Sequence, residues 1–312
     1  MDRRTFALGL APLLTLAAHP SRARTSPAEV ARSPAAPTVL ASTGTQRALR
    51  RIEAAAGARL GVALLDTATG QRVGHRADER FPMCSTFKFL AAALVLRRVD
   101  QGVESLDRPV AIDAARLVTY SPATGRHAGG HMTMGALCEA AVTLSDNGAA
   151  NLMLESFGGP AGLTRFARSL GDDVTRLDRF ETALNEATPN DPRDTTSPAA
   201  MLDLMRQLLL GRALAPASRD RLRGWMLGNT TGATSLKAGL PPDWLIGDKT
   251  GAGGHGTRND IAIVRPRGDG APVLVAAYLT GATALDDAAQ RRVLAEVGAL
   301  LPDFVATAST SG

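Results

Sequence analysis

The 312-residue chain is 45% apolar, 21% charged and 4% aromatic, with a formal net charge of +5. That apolar fraction excludes a disordered chain, and two cysteines are too few for a disulfide scaffold. No apolar run of membrane-spanning length follows the first twenty residues.

In chain order, Arg3 and Arg4 precede an apolar stretch from Phe6 to Ala18 and the small residues Ser21 and Ala23. This is the pattern of a cleavable export signal over residues 1–23, which places the mature protein in the periplasm. The paired arginines fit the twin-arginine route as well as the general secretory one. Residues 24–42, rich in Ser, Pro, Ala and Thr, read as a flexible spacer. Loss of the signal removes three arginines and one aspartate, lowering the formal charge from +5 to +3. The remaining arginine is dispersed, which argues against a nucleic-acid partner.

Apolar periodicity predicts a helix from Arg47 to Gly57, then a hairpin of Leu60–Leu65 with Gln71–His75. The pattern then turns helical: Thr86–Val99, Thr133–Leu144, Ala149–Phe157, Gly159–Leu170, Pro198–Leu210 and Ala215–Leu227. Strands return at Trp244–Lys249, Asp260–Arg265 and Val273–Thr280, followed by a last helix over Leu285–Leu301. Sheet segments flanking a helical insert predict an α+β fold. Residues 43–80 and 228–306 would build an antiparallel sheet backed by helices, and 81–227 an inserted all-helical domain.

Of 35 Lys and Arg only three are lysine: Lys88, Lys237 and Lys249. Lysine, unlike arginine, gives up its proton at accessible pH. Two of the three sit in short patterns that carry chemistry. In Cys84-Ser85-Thr86-Phe87-Lys88 the serine stands at the mouth of an apolar helix, where free N–H groups favour developing negative charge. Lys88, three residues on, shares its face and can act as its base once burial lowers its pKa. Alone, the pattern also describes a serine cap followed by a snorkelling lysine. Ser145-Asp146-Asn147 follows a helical run, and Lys249-Thr250-Gly251 ends a strand.

Ser-x-x-Lys, Ser-Asp-Asn and Lys-Thr-Gly in this order resemble the motif set of serine β-lactamases and penicillin-binding proteins. The segment Arg179 to Asp194, with Glu181-Thr-Ala-Leu184-Asn185 inside it, is similar to the Ω-loop of class A β-lactamases. The similarity runs from about Thr45 to Leu301 and is strongest to the broad-spectrum chromosomal enzymes of Gram-negative bacteria.

The resemblance implies a cofactor-free, metal-free monomeric hydrolase acting on a small β-lactam, with no membrane association once the signal is gone. Ser85 would be the nucleophile and Lys88, Ser145 and Glu181 would move protons. The N–H groups of Ser85 and Ala252 would form the oxyanion hole. Asn185 would help Glu181 hold the hydrolytic water, and Asn147 would contact Lys88 and the substrate amide. Lys249, Thr250, Thr257 and Arg258 would bind the substrate carboxylate, with Tyr120 gating the site. Arg179 and Asp194 would pair across the Ω-loop. The Ser85 proton would pass to Lys88 or to Glu181.

Three departures from the family pattern stand out. Ala92 occupies the position that pairs with Cys138 in some relatives, and Gly253 the position that pairs with Cys84 in others, so two free thiols are expected. Where many relatives have a proline in a cis bond after the Ω-loop glutamate, this chain has Thr182. Between His127 and His131, Gly129-Gly130 argues against a helical metal pair. Two rival functions share parts of the pattern. One is a penicillin-inhibited D,D-peptidase or transpeptidase, which lacks the Glu181/Asn185 arrangement. The other is a non-catalytic β-lactam sensor.

Overall fold

The computed structural model describes residues 43–267 and 270–309. The export signal and the spacer lie outside the described residues. Helix α1 (Thr43–Ala56) buries Ala48, Leu49, Ile52 and Ala56 along one face and stops at Gly57, whose φ of 59° is left-handed. Strands β1 (Arg59–Asp66) and β2 (Arg72–His75) form the first hairpin. A two-residue strand β3 (Phe81–Pro82) leads into helix α2 (Phe87–Asp100). A ribbon of β4 (Pro109–Ala111) with β5 (His131–Thr133) precedes α3 (Met134–Thr143), α4 (Asn147–Ser156) and α5 (Gly159–Ser169). Strand β6 (Thr195–Thr196) pairs back on β3 before α6 (Pro198–Leu209) and α7 (Pro216–Leu227). The chain closes with β7 (Leu245–Gly253), β8 (Thr257–Arg265), β9 (Val273–Thr280), α8 (Asp287–Gly298) and α9 (Leu301–Ser309).

Both chain ends build one antiparallel sheet of order β2-β1-β9-β8-β7. Alternation along its strands divides the interior in two, because successive side chains leave opposite faces. Leu274, Ala276 and Tyr278 of β9 join Ala63, Leu65, Ile261 and Ile263 against the helical half. Val275, Ala277 and Leu279 join Leu60, Val62, Leu64, Ala262 and Val264 under α1, α8 and α9. A sheet covered on both faces reads as continuous apolar sequence, which is why β9 was recognisable residue for residue. Gly61 lets the sheet meet the helical half: a Cβ there would stand 2.4 Å from the Phe81 ring.

In the helical half α2 is buried almost all round, from Phe87 to Leu96, as befits a helix without a polar face. The helices around it start where the sequence caps them. Thr133, Asp146, Ser197 and Asp286 each accept a backbone N–H in the first turn of α3, α4, α6 and α8.

Two expectations need correction. The Lys249-Thr250-Gly251 segment does not end its strand; β7 runs on to Gly253, paired residue for residue with a β8 that begins at Thr257. The tight return through Gly254, His255 and Gly256 makes this possible, the last two having positive φ. The last expected helix stops at Gly298 as α8, and a further helix, α9, follows it with Pro302 in its first turn, where a missing N–H is tolerated.

Candidate active site

Ser85 lies in a single 3₁₀ turn, Cys84–Thr86, immediately before α2 rather than inside its first turn. Cys84 has a φ of 44°, and the Asn259 amide of β8 donates to the carbonyls of Pro82 (2.8 Å) and Met83 (3.0 Å). The turn is thus anchored to the sheet. Strand β7 passes so close that a Cβ at Gly251 would stand 2.9 Å from the Met83 oxygen.

Lys88, in the first turn of α2, is wholly buried. Its Nζ donates to Ser85 Oγ (3.0 Å), the Ser145 carbonyl (2.8 Å) and Asn147 Oδ1 (2.6 Å), and stands 3.0 Å from Glu181 Oε1. Burial lowers the Lys88 pKa, and the Glu181 carboxylate opposes that shift. Ser85 Oγ also reaches Glu181 Oε1, at 3.4 Å. Burial pushes the Cys84 thiol up, so the neighbour of Ser85 stays protonated.

Ser145 holds a left-handed φ of 59° at the start of α4. Its hydroxyl accepts from Lys249 Nζ (3.0 Å) and lies 3.4 Å from Lys88 Nζ, bridging the two scarce lysines. Asp146 fixes this corner: its buried carboxylate accepts from the N–H groups of Ala123, Thr124 and Ala149 and from Thr124 Oγ1. Asn147 donates through its side chain to the Thr119 carbonyl and through its backbone to that of Tyr120. Tyr120, at φ 64°, is exposed and lines the cavity mouth.

Across the cavity, the segment 179–194 delivers Glu181. Asn151 of α4 clamps the Glu181 backbone from both sides, accepting its N–H (2.9 Å) and donating to its carbonyl (3.0 Å). Asn185 donates to Glu181 Oε2, and the Glu181–Thr182 peptide is cis. The neck of the loop closes on Asp194, whose carboxylate accepts from Arg179 Nε (2.6 Å) and from the N–H groups of Asp178 (2.7 Å) and Arg179 (3.0 Å). The Asp194 carbonyl accepts from Met83, joining the neck to the Ser85 turn.

Lys249 of β7 is fully buried and donates to Ser145 Oγ and its neighbour's carbonyl at Thr250. Burial, then the charge of Lys88, pushes its pKa down to about 7. Behind it, burial raises the carboxyls of Asp248 and Asp260, which accept from the Asn229 amide and the Leu236 N–H respectively. Thr250 Oγ1 meets Thr231 Oγ1 at 2.5 Å, and Ala252 lines the cavity from the strand edge.

These groups surround an open cavity of about 310 Å³. Ser85, Tyr120, Ser145, Asn147, Asn185, Thr250, Ala252 and Arg258 line it, and Lys88, Glu181 and Lys249 stand behind. Thr257 is a correction. It is buried, its hydroxyl pairs with Thr280 (2.8 Å), and it does not line the cavity. Asn259, two residues on and so on the same face of β8, does line the cavity, while Thr257 is held on its partner Thr280. Arg258 is not free either, being ion-paired with Asp287 of α8. Burial and then Arg291 lower its pKa.

Several residues went unread in the sequence. Arg291 lines the same cavity and holds Asp287 at 2.6 Å from the other side; among 32 arginines it carried no signal. Thr231 and Ser235 add hydroxyls to the wall, and Asn151 and Asn259 position the two catalytic segments. Only the Asp of Ser-Asp-Asn could have been suspected, as a helix cap.

A protein-family model described as the β-lactamase enzyme family matches residues 44–305. The chain is 47% identical over 245 residues to β-lactamase CTX-M-8 of Citrobacter amalonaticus, covering 78% of this chain and 84% of that one. It therefore belongs to the class A β-lactamases. The β-lactamase L2 of Stenotrophomonas maltophilia is 48% identical over 247 residues, covering 79% and 81% of the two chains. Among solved structures, an ancestral (GNCA) class A β-lactamase superposes with a TM-score of 0.82 at 59% identity, covering 83% of this chain and 99% of that one. Cys84 and Cys138 of this class A chain are buried and unbridged. Position 253, a glycine here, abuts Cys84: a Cβ there would stand 2.6 Å from Sγ.

Proposed function

We propose that the chain hydrolyses the lactam amide of penicillins and cephalosporins through an ester on Ser85, conferring resistance to them. The carrying observation is the placement of Ser85 Oγ within reach of both Lys88 Nζ and Glu181, with Asn185 bonded to that same carboxylate. A hydroxyl alone is a weak nucleophile, and a buried amine of lowered pKa is a competent base for it. Ser85 Oγ bonds to the carbonyl carbon and its proton leaves to one of the two bases in contact. The N–H groups of Ser85 and Ala252 face the developing oxyanion. Collapse breaks the carbon–nitrogen bond, and the nitrogen takes its proton from Ser145, which Lys88 and Lys249 resupply.

Glu181 and Asn185 then hold and activate the water that cleaves the ester, returning Ser85 to its hydroxyl. Lys249, Thr250 and Arg258, joined by Arg291, give the substrate carboxylate a cationic wall. The export pattern of residues 1–23 supports a periplasmic site of action, and we read the mature protein as a monomer needing no cofactor.

The Glu181–Asn185 pair favours hydrolysis over the peptidase or sensor readings, since each of those lets the acyl-enzyme persist. Turnover of a chromogenic cephalosporin by the purified mature protein tests this. Many turnovers per Ser85 are expected, whereas a single stoichiometric burst would leave the peptidase or sensor reading standing.

A further inference from the structure

Beside the root of the Ω-loop lies a second concavity of about 540 Å³, which shares no lining residue with the active-site cavity. Four guanidinium groups line it: Arg80, Arg165, Arg168 and Arg176. Its lining carboxylates are two, Asp173 and Asp178, and only Asp178 is paired, to Arg176 at 2.5 Å.

The other arginines are held, but not by anions. Arg80 uses Nη1 alone, on the Val174 carbonyl (2.7 Å) and Thr195 Oγ1 (3.0 Å). Arg168 likewise uses Nη1 alone, on the carbonyls of Asp172 (2.5 Å) and Thr175 (2.7 Å). Among the described residues neither forms an ion pair, and the Nε and Nη2 donors of each have no protein acceptor. Arg165, on the adjoining face of α5, is exposed and forms no ion pair among the described residues.

Four guanidinium groups against two carboxylates around one concave surface leave a net positive charge that focuses a positive potential into it. The planar fork of arginine matches a tetrahedral oxyanion with two parallel hydrogen bonds. Because backbone carbonyls already immobilise Arg80 and Arg168, a ligand loses less affinity to ordering side chains. The volume exceeds what one small anion fills.

We propose that this concavity is a binding site for a small multivalent phosphate, an oligophosphate or a phosphate-bearing headgroup, distinct from the catalytic cavity. The Arg80, Arg165 and Arg168 forks would hold its oxygens, and Arg176 would join by sharing its fork with Asp178.

Calorimetric titration of the purified protein with sodium tripolyphosphate at physiological salt tests the site. Saturable binding to one site is expected. Arg165→Glu, which removes no internal contact, should weaken it about tenfold or more, the loss of one charge-assisted contact. A charge reversal elsewhere, Arg267→Glu, should leave it unchanged. β-Lactam turnover of both variants should match the parent, which shows that they are folded. Sedimentation with phosphatidylglycerol vesicles, against phosphatidylcholine alone, identifies the source. Arg165-dependent co-sedimentation marks a lipid headgroup, and tripolyphosphate binding without it marks a free anion. Absence of saturable binding to both probes, or equal affinity in Arg165→Glu, would overturn the proposal.

Discussion

Changing Glu181 to Gln separates the two halves of the reaction. The side chain keeps its size, and the Asn151 clamp on the Glu181 backbone is untouched. What disappears is one negative charge, 3.0 Å from Lys88 Nζ. For deacylation the loss is direct: a positioned general base contributes roughly 100- to 10,000-fold, or about 3–5 kcal/mol of barrier. For acylation the sign is opposite to intuition. Glu181 is the largest influence holding the Lys88 pKa up against burial, so its removal lowers that pKa further and leaves more neutral amine to receive the Ser85 proton. Stopped-flow hydrolysis of a chromogenic cephalosporin should show a preserved burst of one equivalent followed by a collapsed steady state. Intact-protein mass spectrometry should find the ester accumulated. Unchanged steady-state turnover would refute Glu181 as the deacylating base. Loss of the burst together with the steady state would refute Lys88 as a sufficient base for acylation.

Three further outcomes follow from the geometry. Asp194→Asn puts an amide donor against Arg179 Nε at the neck of the Ω-loop; a lost hydrogen bond to a charged group costs about 1.5–3 kcal/mol, measurable by urea unfolding, and an unchanged midpoint would show that the pair does not hold the neck. Lys249, with its pKa near 7, is cationic below that pH and neutral above it, so kcat/KM should fall on an alkaline limb that Lys249→Arg abolishes; a limb that persists in the variant assigns it to another group. Gly253→Ala places a Cβ 2.6 Å from Cys84 Sγ and 2.7 Å from the Asn185 carbonyl, so the Ω-loop or the Ser85 turn must shift, at about 1–3 kcal/mol; thermal unfolding and penicillin turnover should both drop, and parental values would mean the backbone absorbs the methyl group.

The local chemistry was legible because each step is short in sequence. Ser85 and Lys88 are three residues apart, across the 3₁₀ turn that opens into α2, so their proximity follows from local helical geometry. The scarcity of lysine marked Lys88 and Lys249 before any fold was known, and the continuous apolar run of β9 announced a strand covered on both sides. Sequence also placed Glu181, Asn185, Arg179 and Asp194 in one segment.

What stayed illegible depends on contacts between distant segments. Ser145 bridges Lys88 and Lys249 across 57 and 104 residues, and Asn259 reaches back 177 residues to hold the Ser85 turn. No local propensity encodes such pairs, because they exist only after the sheet closes from both chain ends. The same closure pairs the Thr257 hydroxyl with Thr280 and brings Arg291 from α8 to share Asp287 with Arg258. Sequence by itself thus determined the reactive groups and the elements that carry them. The tertiary structure decided their partners, since strand register and helix packing set side-chain direction, and direction sets which charges meet.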